Sequence, residues 1–575
     1  MSNRGQVISY GQNDIARVVE QRLRRWEDEN VIERIWDGDP TVWSDNPQHK
    51  REISRRLGWL TSAEVLRDDM EELIGFADEV RHQYTHIVLL GMGGSSLAPE
   101  VFSLVNGVAK GFPQFRVLDS TDPKAVRDVE SWCDLARTLF IVASKSGGTV
   151  ETRVLGDYFY ERLQAIRGQK PGENFVAITD PDTSLEADAK ALEYRRTFLN
   201  IPTIGGRYSA LSLFGLVPAS LMGIDVKRVL ESGHAMMAAC GPDVPLSNNP
   251  GAVLGVALGE LGLAGQDKVT FLLPARWASF GNWAEQLIAE STGKDGKGLV
   301  PVALEPPGIP RVYGPDRVIV TYEIPGGANG ELGRAVDTLE RAGHPVIRIR
   351  LEEPDNVGRE YIRWCFATAV AGAVLGINPF DQPDVQVSKM NTVAALKAYE
   401  ENGALPTIPP ALEEDGVRLY GDVASSDLVL ALRGFFAQVQ PGNYLALQAY
   451  LAPDGATWQL LQDIRVAIRD ALGVATSAAY GPRFLHSTGQ LHKGGPPIGV
   501  FMQITSDHAV DVRVNVRAFS FGTLIDAQAH GDWQVLTKRG LRAIRVHLSG
   551  DVGAGLSKVR AAVQAALGSS DGHPD

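Results

Sequence analysis

Glu290 lies in the stretch Asn282-Trp-Ala-Glu-Gln-Leu-Ile-Ala-Glu290-Ser-Thr-Gly-Lys294, a setting in which a carboxylate could work as an acid–base group. Trp283, Leu287 and Ile288 recur at helical spacing and predict an amphipathic helix. Ser291, Thr292 and Gly293 break it, with Gly293 available as a left-handed stop. The carboxylate would then lie at the partially negative end of the helix dipole and hold its proton more tightly than usual. A raised pKa suits a general base working near neutral pH. On this fragment alone, a surface glutamate before a loop is an equally good reading.

Two loops are built to hold an anion. Gly91-Met-Gly-Gly94-Ser95-Ser96 follows an apolar run and precedes a helix expected near Ala98. Its glycines let backbone approach a ligand, and amides at a helix start bind anions. Ser96 stands where a dinucleotide fingerprint needs its third glycine. Ser144-Lys145-Ser146-Gly-Gly-Thr149 combines three hydroxyls, free amides and a lysine, a cradle suited to a phosphate monoester. It lacks the spacing of a nucleotide P-loop. The other readings are a tight structural turn and a Ser/Thr-rich helix cap; two such loops on neighbouring strands favour the anion. Gly205-Gly-Arg207-Tyr-Ser-Ala-Leu-Ser212 sets one arginine at the head of an apolar helix, where it could stabilise developing negative charge or make a surface salt bridge.

The elements that must position these groups are legible as a rhythm. Residues 86–90, 115–118, 139–143 and 175–178 are continuous apolar runs, each followed by a turn and a helical stretch, as buried parallel strands are. A second set begins near 250, with strands expected at 268–273, 318–322 and 346–350, and further strands at 444–450 and 498–503. The expected fold is α/β, with two doubly wound parallel-sheet domains and extra N- and C-terminal helical segments. The expected divisions are a helical 1–70, α/β domains over 71–240 and 241–410, and an α/β part over 411–575 that frays beyond about Gly568.

The chain has 575 residues, 44% of them hydrophobic and 22% charged, so it is globular and too long for one core. A formal charge of −13 argues against nucleic acid or an anionic membrane as the main partner. Cys133, Cys240 and Cys365 are far apart, with no metal-ligand spacing, so neither a disulfide framework nor a metal site is implied. No apolar signal or spanning run is present, and a cytoplasmic location is expected.

GMGGSS, SKSGGT, GGRYSALS, AESTGK and Phe380-Asp-Gln382-Pro-Asp-Val-Gln-Val-Ser-Lys389 together resemble phosphoglucose isomerase, a family of two sugar-isomerase (SIS) domains that interconverts glucose 6-phosphate and fructose 6-phosphate. The resemblance implies roles residue by residue. Glu290 would shuttle the proton between C1 and C2, and Arg207 would stabilise the enediolate. Gln382 and Lys389 match the family's active-site glutamine and lysine, the latter helping to open the sugar ring. Gly94, Ser95, Ser144, Lys145, Ser146 and Thr149 would bind the phosphate. No cofactor is implied, and a homodimer is expected because the family's histidine comes from the neighbouring subunit.

One part is out of order. The family's ring-opening histidine lies between the glutamate and lysine motifs, where this chain has only His344, in what reads as the turn before a strand. Phe484-Leu-His486-Ser-Thr-Gly-Gln490-Leu-His492-Lys-Gly-Gly495 is similar to the histidine segment but follows the lysine motif. His486 is preferred to His492. This order resembles the isomerase portion of bifunctional transaldolase/phosphoglucose isomerase polypeptides, so a transaldolase encoded or fused elsewhere is a partner to consider. Competing readings are a non-catalytic sugar-phosphate-binding regulator and an isomerase that also accepts mannose 6-phosphate.

Overall fold

The computed structural model describes residues 2–568 apart from 4, 12, 13, 169, 325–329 and 354; the expected tail lies outside them. Three sheets organise the chain. The first is five parallel strands in the spatial order Gln114–Leu118, His86–Gly91, Thr138–Ala143, Phe175–Thr179, Arg196–Leu199. Numbered along the chain this is 2-1-3-4-5, the doubly wound order whose ligand crevice opens between strands 1 and 3. The loops after those two strands are Met92–Ser96 and Ser144–Thr149, so the topology alone puts both anion loops beside the crevice. Both strands are buried on both faces, which is why they read as unbroken apolar runs.

The second sheet repeats the plan. Lys268–Phe271, Val300–Val302, Arg317–Glu323 and Val346–Arg350 are parallel and lie in the order 2-1-3-4. Its connecting helix Ala278–Thr292 returns antiparallel to the strands, so Glu290 arrives at their amino ends. The N-terminal part holds the expected helix, Ile15–Asp28, with Ile15, Val19, Leu23 and Trp26 buried. It also supplies Gln6–Ser9, an antiparallel strand beside Val346–Arg350. Four residues are too few to show a period, and what fixes this strand is the buried amide of Gln6, bonded to the Pro250 carbonyl (3.1 Å) and to Arg363 (2.9 Å).

The C-terminal part is more than helical segments: it forms a third sheet. Tyr444–Tyr450, Ala475–Tyr480, Gly499–Ser506 and Arg542–Leu548 again run parallel in the order 2-1-3-4, edged by the antiparallel hairpin Leu412–Glu414/Val417–Gly421. Strands Ala475–Tyr480 and Arg542–Leu548 escaped notice because one is rich in alanine and the other is half-exposed with interleaved arginines, so neither is a continuous apolar run. This unit is fused to the second. Val300 and Val302 share one core with Tyr444, Ala446, Ala475 and Phe501. Beside it, fully buried Glu305 meets the Arg317 guanidinium (3.1 Å) and the Thr476 hydroxyl (2.8 Å), while Arg465 donates to the Ala303 carbonyl (2.9 Å). Buried charges persist only when paired in this way. Among the described residues, no helix is long and apolar enough to cross a membrane.

Glu285 lies in the same junction, buried on the helix Ala278–Thr292. Burial pushes its carboxyl up to about 7, against the pull of Arg465 and Arg483. The folded state therefore binds a proton here that the unfolded chain gives up, and stability from this group falls as pH rises from about 4.5 through about 7. Glu285→Gln should raise Tm more at pH 8 than at pH 5; an equal shift at both would refute the titration.

Candidate active site

Ten of the eleven residues singled out above line one open cleft: Gly94, Ser95, Lys145, Ser146, Thr149, Arg207, Glu290, Gln382, Lys389 and His486. They come from all three α/β units, from segments nearly 400 residues apart in sequence. Ser144 differs. It is buried behind the loop, its hydroxyl 2.9 Å from that of Thr149, so it steadies the cradle rather than facing the cleft.

The cradle caps the 18-residue helix Val150–Arg167, so anion binding by free amides is available where Ser146 and Thr149 face the cleft. Lys145 is already engaged, bonded to the Asp180 carboxylate and to the Pro202 carbonyl (3.1 Å). Its charge braces the loop as much as it faces a ligand. Gly94 packs its Cα against the Gly206 carbonyl, where a Cβ would lie only 2.0 Å away, so the first anion loop and the Arg207 loop touch backbone to backbone.

Arg207 is no surface salt bridge. Its guanidinium is buried, with Nε on Ser291 Oγ (2.8 Å), Nη1 on Gln382 Oε1 (3.1 Å) and Nη2 on the Pro379 and Asp381 carbonyls (2.6 and 2.9 Å). Nη1 stands 3.5 Å from Glu290 Oε2. This accounts for Gln382, which fixes the arginine as well as facing the cleft. Lys294, from the same motif as Glu290, donates to the carbonyl and carboxylate of Asp381 (2.6 and 2.8 Å). Burial, with Arg207 beside it, brings its ammonium down to about 8.

Glu290 does lie in the last turn of its helix, and its pKa is raised as expected, but the cause is different. Burial does the raising, against the pull of Arg207, His486 and Lys389. Gly293 is also not a left-handed stop, since its φ is −80°. It has no side chain because the third unit presses on it: a Cβ there would come within 2.4 Å of Leu491 Cα.

His486 enters from the third unit of the same chain. Arg483, three residues earlier, is tied to Glu100 and lies 3.4 Å from Asp119, both on the first unit. The His486 carbonyl accepts from Gln286 Nε2 (2.8 Å), and its ring Nε2 meets Glu151 Oε1 (2.9 Å). Burial would push Glu151 up, yet the adjoining His486 holds it below the usual carboxylate range. His492 instead turns into the third unit's core, its Nδ1 on Tyr444 OH (3.0 Å), with burial taking it down to about 3. Lys389 is exposed on the helix Val385–Asn402 and makes no hydrogen bond or ion pair among the described residues, so its ammonium is free for a ligand.

Sequence reading missed Glu151, Gln286, Gln528 and Lys294, and the basic arm Arg51, Arg55 and Arg56 at the cleft mouth. Glu151 could have been noticed, two residues after Thr149. Nothing local marks Gln528, and the arm reads as an ordinary charged helix end and turn until the fold brings it to the same cleft as the Ser144–Thr149 loop.

The chain is similar in sequence and fold to known proteins. Residues 68–295 match the family model for phosphoglucose isomerase, a span that includes Arg207 and Glu290 but not Gln382, Lys389 or His486. The chain is 28% identical over 380 residues to a probable glucose-6-phosphate isomerase of Methanococcus maripaludis, covering 59% of this chain and 84% of that one. It is 30% identical over 300 residues to the glucose-6-phosphate isomerase of Trichormus variabilis, covering 49% of this chain and 53% of the other; the chain thus spans about half the length of several curated relatives. A crystal structure of a glucose-6-phosphate isomerase from Chlamydia trachomatis shares the fold with a TM-score of 0.56 at 18% identity, over 70% of this chain and 90% of that one.

Gly293→Ala tests how tightly the units must close. Its φ suits alanine, so the penalty is steric: a Cβ would meet Leu491 and, at 2.7 Å, the Ala289 carbonyl. Overpacking of this kind costs roughly 1–3 kcal/mol. The variant should lose stability in denaturant titration and lose activity with it; a neutral effect on both would show that the third unit can stand off without consequence. The matched span over residues 68–295 and the doubly wound sheets are what this chain shares with phosphoglucose isomerases.

Proposed function

We propose that this protein interconverts glucose 6-phosphate and fructose 6-phosphate through an enediolate. The observation that carries the reading is the buried Glu290 carboxylate, set 3.5 Å from the Arg207 guanidinium in a cleft that also holds an anion loop and a histidine–carboxylate pair. An aldose–ketose exchange moves one proton between neighbouring carbons, so a single base on one face of the enediol suffices. Glu290, with its proton affinity raised by burial, takes the proton from C2 and returns it to C1. Arg207, already fixed by four protein contacts, offsets the negative charge that develops on oxygen without having to reorganise.

The cyclic sugar must open first. His486 commits Nε2 to Glu151, which leaves Nδ1 to exchange a proton with the ring oxygen or the anomeric hydroxyl. Lys389 supplies the second, cationic group. Ser146, Thr149 and the amides at the head of Val150–Arg167 bind the phosphate, with Ser95 and the Gly94 backbone on the facing loop. Because His486 reaches the cleft from its own chain, the homodimer expected from the family is not needed to bring it in. A sugar-phosphate-binding regulator would need the cradle but not a buried, arginine-paired carboxylate together with a histidine–glutamate pair, which favours the enzyme. Acceptance of mannose 6-phosphate turns on one hydroxyl; Thr292, beside the base, is buried with its hydroxyl on the Ile288 carbonyl (2.8 Å) and gives no support to that wider reading.

A coupled assay from fructose 6-phosphate to a glucose 6-phosphate dehydrogenase tests the proposal. Loss of a positioned base costs roughly 10²–10⁴-fold in rate, so Glu290→Gln should lose kcat by that factor while still binding substrate. Near-normal kcat in this variant would exclude Glu290 as the base. Ser146→Ala and Thr149→Ala should mainly raise KM; unchanged KM in both would remove the phosphate cradle. Since the base works ionised and its pKa is raised, activity should fall with decreasing pH above the range of an ordinary glutamate. An acid limb at the ordinary value would assign it to another group.

A further inference from the structure

Gln528 lies on the helix Phe521–Lys538 of the third unit, outside every motif that marks the family here, yet its side chain is buried against the cleft. Its carbonyl oxygen accepts from Thr121 Oγ1 (2.7 Å), on the first unit. That bond turns the amide so that Nε2 donates to Glu151 Oε1 (2.7 Å). The same carboxylate oxygen meets His486 Nε2 (2.9 Å). A buried chain therefore runs from Thr121 through Gln528 and Glu151 to the imidazole, and Thr121, Gln528 and Glu151 are each more than nine-tenths buried.

We infer that Gln528 is a positioning residue for sugar-ring opening: it holds Glu151 so that the carboxylate keeps His486 in the tautomer with hydrogen on Nε2 and Nδ1 facing the substrate. The inference rests on the isomerase reading above. A buried carboxylate needs its donors; stripped of the amide, it must turn to find another or take up a proton. A protonated or turned Glu151 no longer fixes which ring nitrogen carries hydrogen, and a histidine that works as acid and base depends on that choice. The third unit thus brings both the histidine and the group that orients the histidine's partner, which lets a histidine segment placed after the lysine motif still work on a carboxylate of the first unit.

The test is a pair of measurements on the full chain. In the coupled assay, Gln528→Met, which keeps the length and removes the donor, should lower kcat by about 10-fold, a part of the roughly 10²–10⁴-fold that a positioned acid–base group contributes, with little change in KM. In a His486→Ala background the same substitution should cost nothing further. Equal losses in both backgrounds would overturn the inference, because a general packing defect does not depend on His486. In ¹⁵N NMR of histidine-labelled protein, with His486 assigned by its loss in His486→Ala, the wild type should show one Nε2–H tautomer and Gln528→Met a mixture. An unchanged tautomer would overturn the inference equally. Thr121→Val, which releases the amide from its other end, should shift the tautomer in the same direction and Thr121→Ser should not, which covers a Gln528→Met variant that fails to fold. If the wild type shows no isomerase activity, the proposed function fails while the NMR comparison still decides whether Gln528 positions the histidine.

Discussion

The active cleft depends on main chain touching main chain across units. Gly93 has a φ of +56°, and a Cβ on it would lie 2.7 Å from the His486 carbonyl and 2.8 Å from Gln286 Nε2. Gly293 meets Leu491 in the same manner from the second unit. No side chain fits at either point, so the histidine segment of the third unit is wedged against the first and second units at once. Everything else in the site presupposes this wedge: the His486–Glu151 contact, the reach of Gln528, and the burial of Glu290.

Such tight contacts need a firm frame, and the frame is ionic as well as apolar. Glu305 sits with Arg317, Arg465 and Arg469 where the second and third sheets meet, all of them almost fully buried. Charges taken out of water are tolerated only in a fixed mutual geometry, because removing one partner leaves the others uncompensated at a cost of roughly 3–5 kcal/mol. The cluster therefore specifies how the third unit docks. Arg207 follows the same logic inside the cleft: its carbonyl and hydroxyl partners hold a buried cation in one fixed orientation.

The three sheets share one winding order, and each supplies the site differently. The first sheet uses the carboxyl ends of its strands, where doubly wound sheets bind ligands. The second uses the far end of a connecting helix, which gives Glu290 its place at the strands' amino ends. The third sends in a loop after a strand, Arg483–His486, and one face of the helix Phe521–Lys538. One architecture thus yields a Ser/Thr-rich loop, a buried carboxylate and a histidine according to which of its ends faces the cleft.

Much of this was legible in the chain itself. Buried parallel strands must be apolar on both faces, so most of the first two sheets appeared as unbroken runs; loops that meet anions need glycine and hydroxyls, so both appeared as motifs; and Glu290, Arg207, Gln382 and Lys389 stood in recognisable company. Tertiary structure decided what depends on distant partners. It chose His486 over His492 for the cleft by burying the latter against Tyr444. It raised the pKa of Glu290 through desolvation where local sequence suggested a helix dipole. It turned Ser144 inward, spent much of Lys145 on Asp180, and brought Glu151 and Gln528 to the histidine. The physical reason is range: strand patterns and turn chemistry are set by neighbours a few residues away, whereas burial, proton affinity and hydrogen-bond partnership are set by whatever the fold brings near, here across more than 300 residues.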